Sequence, residues 1–139
     1  MPAEEEVRDA SKHFYTALNR MSNGDSSLMA SAWSQGPDVT ALHPIDGRAI
    51  GWEAVNASFE QFAQVASDGS IDLTDQIIRV ERDVAYELGV EQGQCKLGGH
   101  PVVFKHRVTN IYRREAEGWR MIHHHSDTSP AMQDVLAKL

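Results

Sequence analysis

Three consecutive histidines, His123-His124-His125, followed closely by Asp127, are the densest group of chemistry-bearing side chains in the sequence. On a β-strand, His123 and His125 share one face about 6.6 to 7 Å apart along the chain, and two imidazoles with one carboxylate such as Asp127 make a facial metal-binding set. All three histidines cannot converge on one ion from a regular strand, and no bound metal is expected. A further histidine, His43, stands just before Pro44. An imidazole titrates near neutrality, so His43 suits either proton transfer in a pocket or a backbone hydrogen bond at a strand end. The lone cysteine, Cys95, can form no intrachain disulfide and no thiolate zinc cluster. No phosphate-cradling loop, nucleophile elbow or zinc-protease signature occurs, so the chemistries that depend on them are not supported.

Charge and length narrow the function further. Thirteen Lys and Arg against twenty Asp and Glu give a formal net charge of −7 over 139 residues, so no basic surface is available for phosphates and no nucleic-acid partner is expected. No apolar run approaches the ~18 residues of a membrane span, and Met1-Pro-Ala-Glu-Glu-Glu lacks the features of a signal peptide. The expectation is one soluble, cytoplasmic domain over 1–139, with no membrane partner, a core at about 4–127 and a short tail at 128–139.

The elements that must position these residues follow from periodicity. Val7, Ala10, Phe14, Ala17, Leu18 and Met21 recur at helical spacing, and Asn23-Gly24 ends that helix. Asp25 is placed to cap a shorter helix running to Trp33. Val39 to Leu42 and Arg48 to Ile50 read as a small hairpin about Asp46-Gly47. A third helix carries Trp52, Val55, Phe59, Phe62 and Val65, and Asp68-Gly69-Ser70 ends it. Beyond Ser70 the period drops to two, giving strands at about 71–81, 83–96, 101–114 and 118–126 in an antiparallel meander. Gly89 and Gly93 suggest bulges or bends that curve the sheet, and Met132, Val135, Leu136 and Leu139 read as a short tail helix. The fold class is α+β, with helices packed on a strongly curved, mostly antiparallel sheet to leave a cone with a mouth. Val102, Phe104, Val108 and Tyr112 are apolar on one face, Val103 and Ile111 on the other. Two covered faces predict a homodimer through the outer face of the sheet, with the first four residues at the interface.

The order of these elements, with Gly36-Pro37-Asp38-Val39-Thr40-Ala41-Leu42-His43-Pro44, Gly51-Trp52-Glu53-Ala54-Val55, Arg107-Val108-Thr109 and Gly118 to His125, resembles the nuclear-transport-factor-2-like superfamily, in particular its SnoaL-like and ketosteroid-isomerase-like branch. The resemblance runs from about Val7 to Asp127. It implies a cystatin-like conical barrel of three N-terminal helices on the curved sheet, often dimeric, with a pocket inside. It does not imply one function. It also implies that a histidine-rich end to the last strand needs no dedicated metal. Compared with the isomerase pattern, the base position falls on His43, the donor tyrosine on Phe14 and the protonated aspartate on Thr109. Tyr15, one residue on, is rotated by about 100° on a helix and is not expected to substitute. Steroid isomerisation is therefore not expected.

Through the resemblance, Thr109 sets the strand parity, placing Lys105, Arg107 and Ile111 on the pocket face and His106, Val108 and Asn110 outside. The same alternation puts Trp119, Met121, His123, His125 and Asp127 on the concave face and turns His124 outward. The implied site has His43 and His123 as acid/base groups and Arg107, Thr109, His125 and Asp127 as substrate-binding groups. Phe14, Trp33, Trp52 and Met121 form its apolar wall. Each has a structural alternative: Arg107 paired with Glu53 or Glu60, the tryptophans as plain core, Asp127 capping the tail. The expected function is cofactor-independent acid/base chemistry on a small, largely apolar molecule, by isomerisation, cyclisation, dehydration or hydrolysis. The alternative is a non-catalytic dimeric module that uses the same cone to hold a ligand or a partner segment.

Overall fold

The structure, a computed structural model, describes residues 2–139. Helix α1 spans Ala3–Met21, with Glu4, Glu5 and Glu6 in its first turn, where carboxylates complement the free amides of the helix start. One face of it, through Val7, Ser11, Phe14, Tyr15, Ala17, Leu18 and Met21, is buried. A single helical turn, α2 (Met29–Ala32), follows. Asp25 accepts from the Ser27 amide at 2.9 Å and so closes the preceding turn instead of capping α2. Strands β1 (Thr40–Leu42) and β2 (Arg48–Ile50) form the hairpin, and α3 (Trp52–Val65) buries Val55, Phe59 and Ala63.

Helix α3 runs straight into β3 (Ala66–Glu81), with no intervening turn at Asp68-Gly69-Ser70. Those residues instead make a bulge, where Asp68 has a φ of 48° and the register against β4 slips between Ser67 and Ser70. A second slip lies between Thr74 and Ile77, around Asp75 with a φ of 53°. The bulges are therefore in β3, and the glycines of β4 (Val84–Leu97) permit the close approach that they require. A Cβ on Gly93 would lie 2.0 Å from the Ser70 carbonyl oxygen. Strands β5 (His100–Glu115) and β6 (Gly118–Ser126) and helix α4 (Pro130–Leu136) complete the chain.

The sheet order is β2-β1-β6-β5-β4-β3, antiparallel except for the parallel pairing of β1 with β6. The sheet curls around α1 and α3, as the α+β expectation requires. No described helix is long and apolar enough to cross a membrane.

Two parity expectations are corrected. On β5 the buried side chains are the even-numbered ones, Val102, Phe104, His106, Val108, Asn110 and Tyr112, so these line the concave face, and Arg107 and Thr109 lie on the convex one. On β6, Trp119 and Met121 are buried as expected. Tyr112 then pairs with Met121 while Ile111 pairs with His123, leaving Ile122 as the extra residue of a bulge. That one residue reverses the alternation. His124 and Ser126 turn inward, and His123, His125 and Asp127 come out on the convex side. The dimer residues first expected, Val102, Phe104, Val108 and Tyr112, are thus core.

Candidate functional site

Period-two alternation on β4 puts Glu87 and Glu91 on the concave face beside Ala85 and Cys95, and neighbouring strands supply the partners these carboxylates need. Asn110 donates through Nδ2 to Glu87 Oε1 at 2.9 Å and to the Tyr15 hydroxyl at 3.0 Å. Tyr112 donates to the same Glu87 oxygen at 2.7 Å, and Gln76 donates to Glu87 Oε2 at 2.6 Å. Tyr15 donates to Glu91 Oε2 at 2.8 Å, while His106 Nε2 lies 2.8 Å from Glu91 Oε1. These contacts join α1, β3, β4 and β5 into one buried network.

The network fixes the imidazole tautomers. The Asn110 amide nitrogen is occupied as a donor, so its Oδ1, 2.6 Å from His124 Nδ1, accepts and His124 carries its proton there. His124 Nε2 is left as a lone pair, 3.2 Å from the Ser126 hydroxyl. By the same logic, Ser58 donates to the Val55 carbonyl at 2.6 Å, so the 2.7 Å contact with His43 Nε2 has the imidazole donating. His43 Nδ1 then holds the lone pair. The two rings lie 6.3 Å apart, with Phe59 at 5.0 Å from His43 and Phe14 at 5.2 Å from His124.

Burial sets the protonation states. It lowers both His43 and His124 to about 4, against a weaker opposing pull from the Glu91 charge, so each ring is neutral near pH 7. Burial also pushes Glu91 upward, but the hydrogen bonds from His106 and Tyr15 are part of what outweighs it and holds the carboxyl below its usual range. Burial, then the nearby glutamate charges, raise Tyr15 and Tyr112 well above the ordinary phenol value, so both remain donors.

Several of these groups border a cavity of about 60 Å³. His43, Glu91, His106 and His124 supply its polar wall, Phe59 and Phe104 part of its apolar one. Met132 of α4 also faces it, and Ser129 caps that helix by accepting from the Met132 amide at 3.3 Å. Cys95 is in the wall too, its thiol pushed up to about 11 by burial. Among the described residues no three His, Cys, Asp or Glu side chains converge as metal ligands.

A family model described as a SnoaL-like domain matches residues 7–132. The chain belongs to the SnoaL-like domain family. No curated protein sequence matches this SnoaL-like chain. Among solved structures it is similar to a candidate dehydratase of the NTF2-like family from Streptomyces avermitilis, at 25% identity and a TM-score of 0.78, over 93% of this chain and 97% of that one. An NTF2-like superfamily protein from Salmonella enterica gives a TM-score of 0.81 at 16% identity, covering 91% and 90%. The CaMKII hub of S. rosetta gives 0.74 at 18%, covering 93% and 98%. The latter two show the fold alone.

Of the residues expected at the site, the SnoaL-like cavity contains His43. Phe14, Trp33 and Met121 are core behind it, and Trp52 is half-buried at the start of α3, away from the cavity wall. Arg107, Thr109, His125 and Asp127 do come together, but around a shallow depression on the convex face. There Arg107 Nε donates to Asp127 Oδ2 at 2.7 Å, and the partner is Asp127, not Glu53 or Glu60. His123 Nδ1 lies 2.7 Å from the Thr40 hydroxyl, also on the convex side. Sequence reasoning missed Tyr15, Glu87, Glu91, His106, Asn110 and His124 as interior groups. The signal for two of them was present in β5, where Val102, Phe104, Val108 and Tyr112 mark the apolar face on which His106 and Asn110 also fall.

Proposed function

We propose that this SnoaL-like domain is a cofactor-independent acid/base enzyme acting on a small, largely apolar molecule, with His43 and His124 as the proton-transfer groups. The observation that carries this reading is the pair of neutral imidazoles 6.3 Å apart on the wall of one cavity, each with one nitrogen committed and one lone pair free of a strong partner. A neutral buried imidazole accepts a proton at pH 7 without first losing one. His124 replaces His123 in this role, because the β6 bulge carries His123 outside. The Glu91–His106 pair beside them can stabilise a transient imidazolium by its negative charge. Isomerisation, cyclisation, dehydration and hydrolysis all use such a set.

The test is turnover of a panel of small ketones, hydroxyketones and epoxides followed by proton NMR in heavy water. His43→Ala should lower the rate on the substrate found by about 10² to 10⁴. The parent's rate should hold as the pH is lowered to 5 and fall only below it. Turnover that His43→Ala leaves unchanged in a folded protein, or a parent inert to the whole panel, would contradict the reading.

A second reading rests on the convex face, which exposes Ile77, Tyr86, Leu88 and Val103, the last at 76%. A homodimer through this face is proposed with these residues as its contacts, since soluble chains seldom leave such a patch bare. Light scattering at tens of micromolar should give twice the chain mass, and Tyr86→Asp should halve it. A monomeric parent would contradict the dimer.

A further inference from the structure

We propose that the cavity selects a hydroxyl-bearing molecule, whose hydroxyl donates a hydrogen bond to His106 Nδ1, over its carbonyl counterpart, and that it rejects carboxylates. The inference deepens the acid/base reading and rests on the cavity being a small-molecule site.

His106 is buried, and its Nδ1 is enclosed without any hydrogen-bond partner. Its other nitrogen, Nε2, is committed to Glu91 Oε1 at 2.8 Å. An ionised carboxylate only accepts, so on a neutral ring Nε2 carries the proton and Nδ1 presents a lone pair. Phe104 stacks on the ring at 5.4 Å and 19°, so the ring cannot turn cheaply to find another partner. An enclosed polar atom left without a partner is destabilising, and a ligand that supplies the missing donor recovers part of that cost.

The rest of the wall points the same way. His43 and His124 each offer a lone pair, at Nδ1 and Nε2, because their other nitrogens hold the protons used on Ser58 and Asn110. Glu91 offers only acceptor oxygens. The basic nitrogens and the carboxylate therefore make a wall that accepts, and a ligand must donate to satisfy it. No Lys or Arg borders the cavity. Arg107 is exposed on the convex face against Asp127, and Arg113 is held by Asp38 and Glu115. A carboxylate entering this space would meet the Glu91 charge with no cation to offset it. At about 60 Å³ the space holds roughly four waters, so the molecule is one of few heavy atoms.

Three probes of matched size test the selection: butan-2-ol, butan-2-one and propionate. Binding is followed by ligand-observed NMR at pH 8. Butan-2-ol should bind about tenfold more tightly than butan-2-one, the worth of one enclosed hydrogen bond, and propionate should show no binding. His106→Phe should abolish the preference for alcohol over ketone. Since that substitution also strips Glu91 of a partner, a second readout uses the unaltered chain: the Nδ1 nitrogen resonance of His106 moves when butan-2-ol is added and stays when butan-2-one is. Equal binding of alcohol and ketone, tighter binding of propionate, or an unmoved His106 resonance overturns the inference. Those results leave the His43 proton-transfer reading intact, whereas failure of all three probes to bind overturns both.

Discussion

The two faces of one sheet treat the same residue types in opposite ways. On the concave face His124 is fully enclosed, with Nδ1 at 2.6 Å from Asn110 and its ring neutral; one residue away on the convex face, His125 is exposed. Likewise His106 and Arg107 are adjacent in sequence, yet one is locked to Glu91 inside and the other pairs with Asp127 in solvent. Residue type alone does not make a site. What distinguishes the interior groups is that water cannot replace their partners, so each hydrogen bond fixes a tautomer and each unpartnered atom becomes a demand on a ligand.

Adjacent substitutions on the two faces give the largest expected difference. His106→Ala leaves Glu91 buried without its imidazole partner and should cost about 3–5 kcal/mol in urea unfolding. Arg107→Ala, one residue along on the convex face, should leave the midpoint where it was, since an exposed ion pair contributes little. Equal losses from the two would erase the comparison.

Acid should then act through the concave face. His43 and His124 take up no second proton in the fold until about pH 4, whereas in the unfolded chain they take it up near 6.5. Between those values the unfolded state binds more protons, so stability falls as the pH falls, by about 3 kcal/mol per imidazole across the window. Denaturant midpoints from pH 7 to 4 measure this. His124→Phe, which keeps a ring in the same space, should flatten the slope. A smaller effect, about 1 kcal/mol, is expected from Ser129→Ala, which uncaps the helix that brings Met132 to the cavity.

Much of the fold was legible because apolar spacing is a direct record of burial. The spans of α1, α3 and β4 to β6 follow from it to within about one residue. The start of β3 was missed because Asp68-Gly69-Ser70 has turn composition, while the chain uses it as a bulge inside a continuous strand. The site was legible mainly at His43. Parity on β5 was anchored on Thr109 through the resemblance, one residue away from Asn110, and a one-residue error exchanges the two faces of a strand. On β6 the anchor at Met121 was correct and still failed beyond Ile122, because a bulge leaves no mark in an alternation that runs on into three consecutive histidines. Glu87 and Glu91 were hidden for another reason. Val84, Tyr86, Leu88 and Val90 gave β4 an apolar face, and in this fold that face points outward while the carboxylates go in.

The central claim is that the concave face holds His43 and His124 as neutral imidazoles of fixed tautomer. Nitrogen-detected NMR titration of histidine-labelled protein tests it most directly. The structure predicts protonated Nε2 on His43 and protonated Nδ1 on His124 at pH 7, with both rings taking up a second proton only near pH 4. Titration of both rings near pH 6.5, or rapid exchange between tautomers, would contradict it.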